Sequence, residues 1–305
     1  MEGERPSSCS ICNQRAIFLD RETGSHLCST HLKLSVENRV LSRIQMQDLP
    51  EIFGVAFSGG KDSTALLVAL VALKEQIPGR LVALTVDEGI SGYREDTIHH
   101  AKKVCRKLGV EHQIISFTEL YGKNLDQLME EPTHKACTIC GILRRRALEV
   151  LAERMNIRLI VTGHNQDDHA QTTLMNALSA DIKKVFAGTG RGGRFARRIK
   201  PFAEVSEREV SLYAIIAGLF KDLPECPYAG EALRGEVRHL LNGFEQVYPG
   251  SMRNAARVEE KIREKLKNTV SAPPLVTCRN CGWPGSDEIC QVCKLLGPDW
   301  AMNKP

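Results

Sequence analysis

The stretch "VAFSGGKDSTALL", Val55 to Leu67, decides the fold. An apolar run ends at Phe57; a serine, two glycines, a lysine, an aspartate and two hydroxyl residues follow; then a second apolar run begins. Ile52 to Phe57 reads as a buried strand and Ser63 to Leu73 as a helix. A strand that feeds a helix N-terminus exposes free backbone N–H groups and the positive end of a dipole, and anions settle there. Gly59 and Gly60 let the backbone approach a phosphate with no Cβ in the way; Ser58, Ser63 and Thr64 add hydroxyls, and Lys61 adds charge. The spacing is not that of a Walker A loop, GxxxxGK(S/T).

Outward from this turn, "RLVALTV" (Arg80 to Val86), "HQIISF" (His112 to Phe117) and "RLIVTG" (Arg158 to Gly163) read as further strands. Helices are predicted between and after them, over Glu95 to Leu108, Thr138 to Met155 and Asp168 to Leu178. Alternation of this kind predicts an α/β fold, a parallel sheet with helices on both faces. "TGHNQDDHAQT" (Thr162 to Thr172) is a second strand-to-helix turn, expected on the same sheet edge. One of Asp167 and Asp168 is expected to complement the helix dipole, and Asp168 is expected to reach the site, where a carboxylate facing a triphosphate works through Mg²⁺.

The 305 residues are 42% hydrophobic with a formal charge of +4, so a core is within reach and global charge names no partner. The N-terminus has no apolar leader and no run is long enough to span a membrane, so a soluble, intracellular chain is expected. In a reducing compartment the 11 cysteines point to metal or catalysis rather than disulfides. Two basic clusters stand out, Arg144-Arg145-Arg146 and the group Arg191, Arg194, Arg197, Arg198 and Lys200. They read equally as solvated faces and as phosphate contacts. A helix is expected over Val36 to Met46, a helical region over Ser206 to Asn268, and a linker at Ser271 to Pro274. The expected organisation is a metal module at 1–34, an α/β domain at 35–205, a helical extension at 206–270 and a second metal module at 271–305.

The cysteines sort by spacing. Cys278-x2-Cys281 and Cys290-x2-Cys293 suit a structural tetrahedral Zn²⁺ site. Cys9-x2-Cys12 with Cys28-x2-His31 suits a second, His26 being the competing ligand. Cys105 falls inside an amphipathic helix and reads as core packing. Cys137 and Cys140 open a long helix, where the dipole favours thiolates, and Cys226 lies in the proline-bracketed "LPECPYAG". These three fit a [4Fe–4S] cluster with one iron lacking a protein ligand; Cys137 and Cys226 fit equally a persulfide donor and its resolving partner, and the remaining reading is that all three are inert.

SGGKDS resembles the PP-loop of ATP pyrophosphatases, which split ATP into AMP and pyrophosphate. The resemblance implies that Ser58, Gly59, Gly60, Lys61, Asp62 and Ser63 cradle phosphates, with Gly163, His164 and Asp168 beside them. It also implies that adenosine lies near Leu84, Val86 and Asp87. With "DEGISGYREDT" (Asp87 to Thr97), "CTICGILRRRAL" (Cys137 to Leu148), "ECPY", "RGEVRHLLNGFE" and both Cys modules, the whole chain resembles the tRNA 2-thiouridine synthetases of the archaeal and eukaryotic cytoplasmic type. The sister TtuA branch, which modifies U54, carries a lysine where Arg144 stands, so the resemblance implies the wobble position, U34. It implies ATP, Mg²⁺, two Zn²⁺ and a [4Fe–4S] cluster on Cys137, Cys140 and Cys226, and places Lys61, Arg144 and Asp168 at the reacting phosphates. tRNA would meet Arg145, Arg146, Arg191, Arg194, Arg197 and Arg198. The sulfur donor would be sulfide or a ubiquitin-like thiocarboxylate carrier, the assembly a homodimer, the location cytoplasmic. U54 thiolation, cluster-free persulfide transfer, another adenylating enzyme such as an amidotransferase or lysidine synthetase, and a zinc-dependent RNA-binding protein with a vestigial PP-loop are the competing readings.

Overall fold

A computed structural model describes residues 8–180, 194–231, 233–266, 275–297 and 300. Five parallel strands form the central sheet: β3 (Ile52–Ala56), β4 (Arg80–Asp87), β5 (Glu111–Ser116), β6 (Leu159–Val161) and β7 (Arg197–Ile199), in the order β5-β4-β3-β6-β7. Strand order reverses at β3, so the crevice between the carboxyl ends of β3 and β6 is the place for a ligand. The two quoted turns leave β3 and β6.

Alternating residues of the strands feed two apolar layers. Phe53, Val55, Ala83, Leu159 and Val161 pack with α1 (Ser29–Gln45), α2 (Lys61–Ala72), α3 (Arg94–Leu108) and α8 (Glu207–Ile216). Val82, Leu84, Val86 and Ile160 pack with α4 (Phe117–Tyr121), α5 (Leu125–Leu128) and α6 (Ala136–Arg154). Three further helices, α7 (Gln166–Leu178), α9 (Leu233–Val247) and α10 (Ser251–Leu266), make a small third cluster around Ala170, Val237, Leu241 and Met252. Each terminal module joins a different layer. The hairpin β1 (Phe18–Leu19) and β2 (His26–Leu27) adds Phe18 and Leu27 to the first. The module of β8 (Val276–Thr277), β9 (Pro284–Gly285) and α11 (Gln291–Leu296) adds Cys278, Val292 and Cys293 to the second.

Three expectations change. The helix expected from Val36 begins at Ser29, and its first turn delivers His31 to Cys28. The helical region expected over Ser206 to Asn268 is broken between α8 and α9, and that break carries Cys226. The basic stretch after Arg194 holds β7, a strand with no long apolar run to announce it. Among the described residues, no helix is long and apolar enough to cross a membrane.

Candidate active site

The turn after β3 is a built anion cradle. Gly59 has φ +82°, and a Cβ there would sit 2.4 Å from the Thr97 carbonyl oxygen, so only glycine fits. The Ser58 and Ser63 hydroxyls lie 3.1 Å apart, Ser63 Oγ donates to the Gly60 carbonyl at 3.0 Å, and the Ser58 N–H donates to Ser63 Oγ at 3.3 Å. Gly60 is the N-cap of α2 and brings no side chain to the N–H groups of the first turn. Gly163, from the second turn, comes so near that a Cβ would meet Asp62 O at 3.0 Å. The two turns therefore share one rim, as expected.

Lys61 does not point into open solvent: its Nζ is 2.8 Å from Glu207 Oε1 and 3.8 Å from Asp62 Oδ1. Glu207 opens α8, and its own N–H donates to Asp167 Oδ2 at 2.7 Å. Partial burial, with Asp168 and Glu207 opposing the help of Lys61, lifts the Asp62 carboxyl to about 6. Burial likewise lifts Asp167 to about 6. A triphosphate and Glu207 compete for the same ammonium. Half-exposed pairs of this kind contribute about 0.5–1 kcal/mol, so Glu207→Gln is expected to tighten ATP roughly 2–5-fold. Calorimetric titration of ATP into both proteins measures this, and unchanged or weaker affinity would mean that the pair does not restrain Lys61.

Helix capping, expected of only one of Asp167 and Asp168, falls to both. Asp168 caps its own helix in a capping box: Asn165 N donates to Asp168 Oδ2 at 3.1 Å, and Asp168 N donates to Asn165 Oδ1 at 3.0 Å. Asp167 reaches across and caps α8. Both carboxylates thus serve helix N-termini; Asp168 keeps its other oxygen 3.6 Å from Arg234 and is near enough to Asp62 to raise its pKa. His164 stands at the rim with Nδ1 3.0 Å from Thr162 Oγ1. The Leu84 side chain, 1% exposed, belongs to the second apolar layer, and its carbonyl accepts from Phe57 N at 2.8 Å. Val86 and Asp87 do lie at the carboxyl end of β4, where Val86 O accepts from Arg94 and Asp87 Oδ1 accepts from Gly89 N at 2.9 Å.

The sulfur-bearing residues assemble beside this rim. Cys137 and Cys140 are one turn apart at the start of α6, and Cys226 stands close enough to both for their charges to interact. Cys137 Sγ donates to the Tyr228 carbonyl at 3.6 Å, and Tyr228 Oη donates to Asp126 at 2.8 Å, which ties the Cys226 segment to α5. The helix dipole does not decide the state of Cys140: burial raises its thiol to about 12, so a metal that binds there displaces a proton. Among the described residues the other eight cysteines are engaged elsewhere, seven in the two four-donor groups and Cys105 in the first core, so no fourth thiol is available here. That donor set suits a cluster with one iron free of protein ligands.

A chain of charges connects the two halves. Arg144, one turn beyond Cys140, lies 3.7 Å from Glu88, which pairs with Arg94 at 2.7 Å. Arg94 donates to Ser58 O at 3.3 Å, in the phosphate turn. Glu88, Arg94, Glu207 and Arg234 were not singled out from the sequence, although two quoted motifs contain Glu88, Arg94 and Arg234; Glu88 meets Arg144, Glu207 meets Lys61 and Arg234 meets Asp168 across tens of residues.

The two remaining cysteine groups hold their four donors within 4.8 Å of one another. A tetrahedral ion with metal–sulfur bonds of about 2.3 Å spaces its sulfurs about 3.8 Å apart. Cys12 and Cys28 are 3.6 Å apart, Cys278 and Cys293 3.8 Å, and Cys281 and Cys290 3.7 Å. His31 Nδ1 completes the first group at 3.5 Å from Cys9 and 3.4 Å from Cys28. His31, not His26, is the fourth donor.

The basic residues divide. Arg145 is exposed. Arg146 is 9% exposed and turned onto the C-terminal module, so its expected contact with RNA is withdrawn. Arg194 pairs with Glu153, Arg198 with Glu149, and Arg197 donates to the Asp48 carbonyl, so these side chains fasten β7 and its approach to the fold. Arg191 lies outside the described residues.

A glycine turn between the first strand of a parallel sheet and its helix, facing the second turn across the switch point, defines the PP-loop class, and the model of the PP-loop domain matches residues 32–220. Within that class the chain belongs to the tRNA 2-thiolation proteins. It is 32% identical to tRNA 2-thiolation protein NcsA of Haloferax volcanii, over 94% of this chain and 98% of that one. It is 35% identical to cytoplasmic tRNA 2-thiolation protein 1 of Aspergillus niger and of Xenopus laevis, over 95% of this chain and 88% of each relative. Its fold matches that of the U34-tRNA thiolase NcsA from Methanococcus maripaludis with its [4Fe-4S] cluster, at TM-score 0.83 and 31% identity, over 94% of this chain and 95% of the other.

Proposed function

We propose that this protein is an ATP-dependent tRNA thiolase that converts the wobble uridine, U34, to 2-thiouridine. The observation that carries the reading is the continuous rim from Cys137, Cys140 and Cys226 through Arg144, Glu88 and Arg94 to the phosphate turn. ATP lies in the turn of Ser58 to Ser63 with Lys61 on its phosphates, and Asp62 and Asp168 carry Mg²⁺. The uridine C2 oxygen attacks the α-phosphorus and pyrophosphate leaves. Lys61 and Arg144 stabilise the charge that develops on the phosphate oxygens. Sulfide then attacks C2, AMP departs with the former C2 oxygen, and 2-thiouridine remains. A [4Fe–4S] cluster held by Cys137, Cys140 and Cys226 would supply, at its open iron, a binding position for that sulfide.

Zn²⁺ occupies the two four-donor modules in a structural role. The target base leaves its stack to reach the adenylation site. Arg145 meets phosphate without reading sequence. The sulfur comes from free sulfide or from a ubiquitin-like thiocarboxylate carrier. A second copy of the chain covers the exposed stripe of Leu240, Phe244 and Val247 on α9, and the protein works in the cytoplasm.

The test is an anaerobic reaction of purified protein with unmodified tRNA transcript, ATP, Mg²⁺ and sulfide. Expected are AMP, pyrophosphate and 2-thiouridine in equal amounts, lost with a transcript bearing cytidine at position 34 and kept with one bearing cytidine at 54. The reverse pattern would assign U54. RNA binding with no AMP formed would leave a zinc-dependent RNA-binding protein.

A further inference from the structure

We infer that Arg146 is a positioning residue for the sulfur site: it locks the C-terminal four-cysteine module onto α6, so that the module's metal holds in place the helix that carries Cys137, Cys140 and Arg144. The inference rests on the reading that this module binds Zn²⁺.

Arg146 lies six residues after Cys140 on the same helix. Its Nη2 donates to Cys290 Sγ at 3.5 Å and its Nη1 reaches Cys281 Sγ at 3.8 Å. Its guanidinium carbon stands 4.3 Å from the ring centre of Trp283, a side chain only 1% exposed. Arg194 stacks on the same ring at 4.1 Å and is itself held by both oxygens of Glu153, one helical turn pair further along α6. Cys278, Cys290 and Cys293 share one apolar cluster with Ile139, Leu143 and Ala147 of α6. The module is therefore seated on the helix by packing and tied to it by one buried cation.

The chemistry explains why arginine stands there. Four thiolates around a divalent ion carry a net charge of minus two, and their sulfurs accept charge-assisted hydrogen bonds. A planar guanidinium bridges two sulfurs and stacks on an indole at once; an ammonium does not. Donors behind metal ligands hold the ligands in place and tune their basicity. The metal fixes Cys281 and Cys290 at the spacing that the guanidinium bridges, so the buried side chain of Arg146 keeps its seat on α6 only while the module keeps its shape. Occupancy of the module and order in α6 are thus linked, and linkage works in both directions.

The experiment compares wild type, Arg146→Met, Arg146→Lys and Arg194→Met as full chains, without tRNA or ATP. Zinc release into excess chromophoric chelator is followed, with the N-terminal module as the internal reference. Wild type is expected to release two zinc ions slowly. In Arg146→Met one of the two is expected to leave about 10–100-fold faster, the scale for removing a donor behind a ligand, while the other is unchanged. Arg146→Lys is expected not to restore the wild-type rate, and Arg194→Met, which spares the thiolate contacts, to stay near wild type. In cobalt-substituted protein the sulfur-to-cobalt charge-transfer band is expected to move to lower energy in Arg146→Met and to stay put in Arg194→Met. After anaerobic reconstitution, cluster absorbance is expected to fall with the ribbon zinc. Equal release of both ions in Arg146→Met, full cluster content after loss of the ribbon zinc, or only one zinc in wild type would each overturn the inference. If Arg146→Met does not fold, Arg146→Lys decides by the same release rates. Since no tRNA or ATP is present, failure to thiolate leaves these outcomes untouched.

Discussion

Cys226→Ala is expected to strip the protein of iron and acid-labile sulfide while leaving the metal content of the two four-donor modules and the fold in place. The reason is where the residue sits. Cys226 belongs to the segment between α8 and α9, half-buried, outside both four-donor modules, and it helps fill neither main layer of the core beyond its edge. Removing it leaves no large cavity, so stability should change little. Its function is different in kind. With eight of the 11 cysteines engaged elsewhere, no spare thiol stands in for it. Iron retention should fall by more than the roughly 10–100-fold typical of altering a group behind a ligand, and thiolation by on the order of 10³-fold, as when one member of a jointly acting set is removed. Metal analysis and the visible spectrum of anaerobically purified protein check the first, and 2-thiouridine yield the second. A mutant that keeps its iron, or a colourless wild type that still thiolates, would move the chemistry to persulfide on these cysteines.

The second large effect is expected at Gly59→Ala. The residue's φ of +82° is unfavourable for an L side chain, and the new Cβ would lie 2.4 Å from Thr97 O in α3. Conformational strain alone costs about 1–2 kcal/mol, and displacing α3 brings the total to roughly 3 kcal/mol or more. For a chain of this size that lowers Tm by roughly 6–12 °C. ATP binding should be lost as well, because the cradle and α3 would have to part. Gly60→Ala is the control: its φ is −74° and its Cβ would meet only Ser58 Oγ, at 3.3 Å. Melting curves of the pair separate the two positions, since Gly60 shares the phosphate cradle and differs from Gly59 in strain alone; similar melting would mean that the turn is more plastic than its geometry says.

The parallel sheet was legible because the apolar runs at Ile52, Arg80, His112 and Arg158 are short and each is followed by a stretch of helical period. The metal donors were legible because a pair of ligands on a tight knuckle needs a fixed local spacing. What stayed hidden depends on partners distant in sequence. Lys61 finds Glu207 across 146 residues, and Arg146 finds Cys290 across 144. An arginine in a row of three carries no mark of whether it will meet solvent, as Arg145 does, or an indole and two sulfurs, as Arg146 does. Asp167 and Asp168 are neighbours in sequence but about 100° apart around a helix, so which of them crosses to another helix is a tertiary fact. Strand β7 carries no apolar signal because two of its three residues are arginines, one of which donates to the Asp48 carbonyl and the other pairs with Glu149.

The two cysteine modules cover opposite faces of the sheet, Phe18 and Leu27 closing one layer and Cys278, Val292 and Cys293 the other. They are the lids of a box whose floor and ceiling are otherwise unfinished. A fragment cut to residues 32–220 would bare a greasy surface above and another below, and should clump rather than fold. A metal in one module would govern one half of the box and a metal in the other the opposite half, so emptying one or the other should spoil solubility from opposite directions.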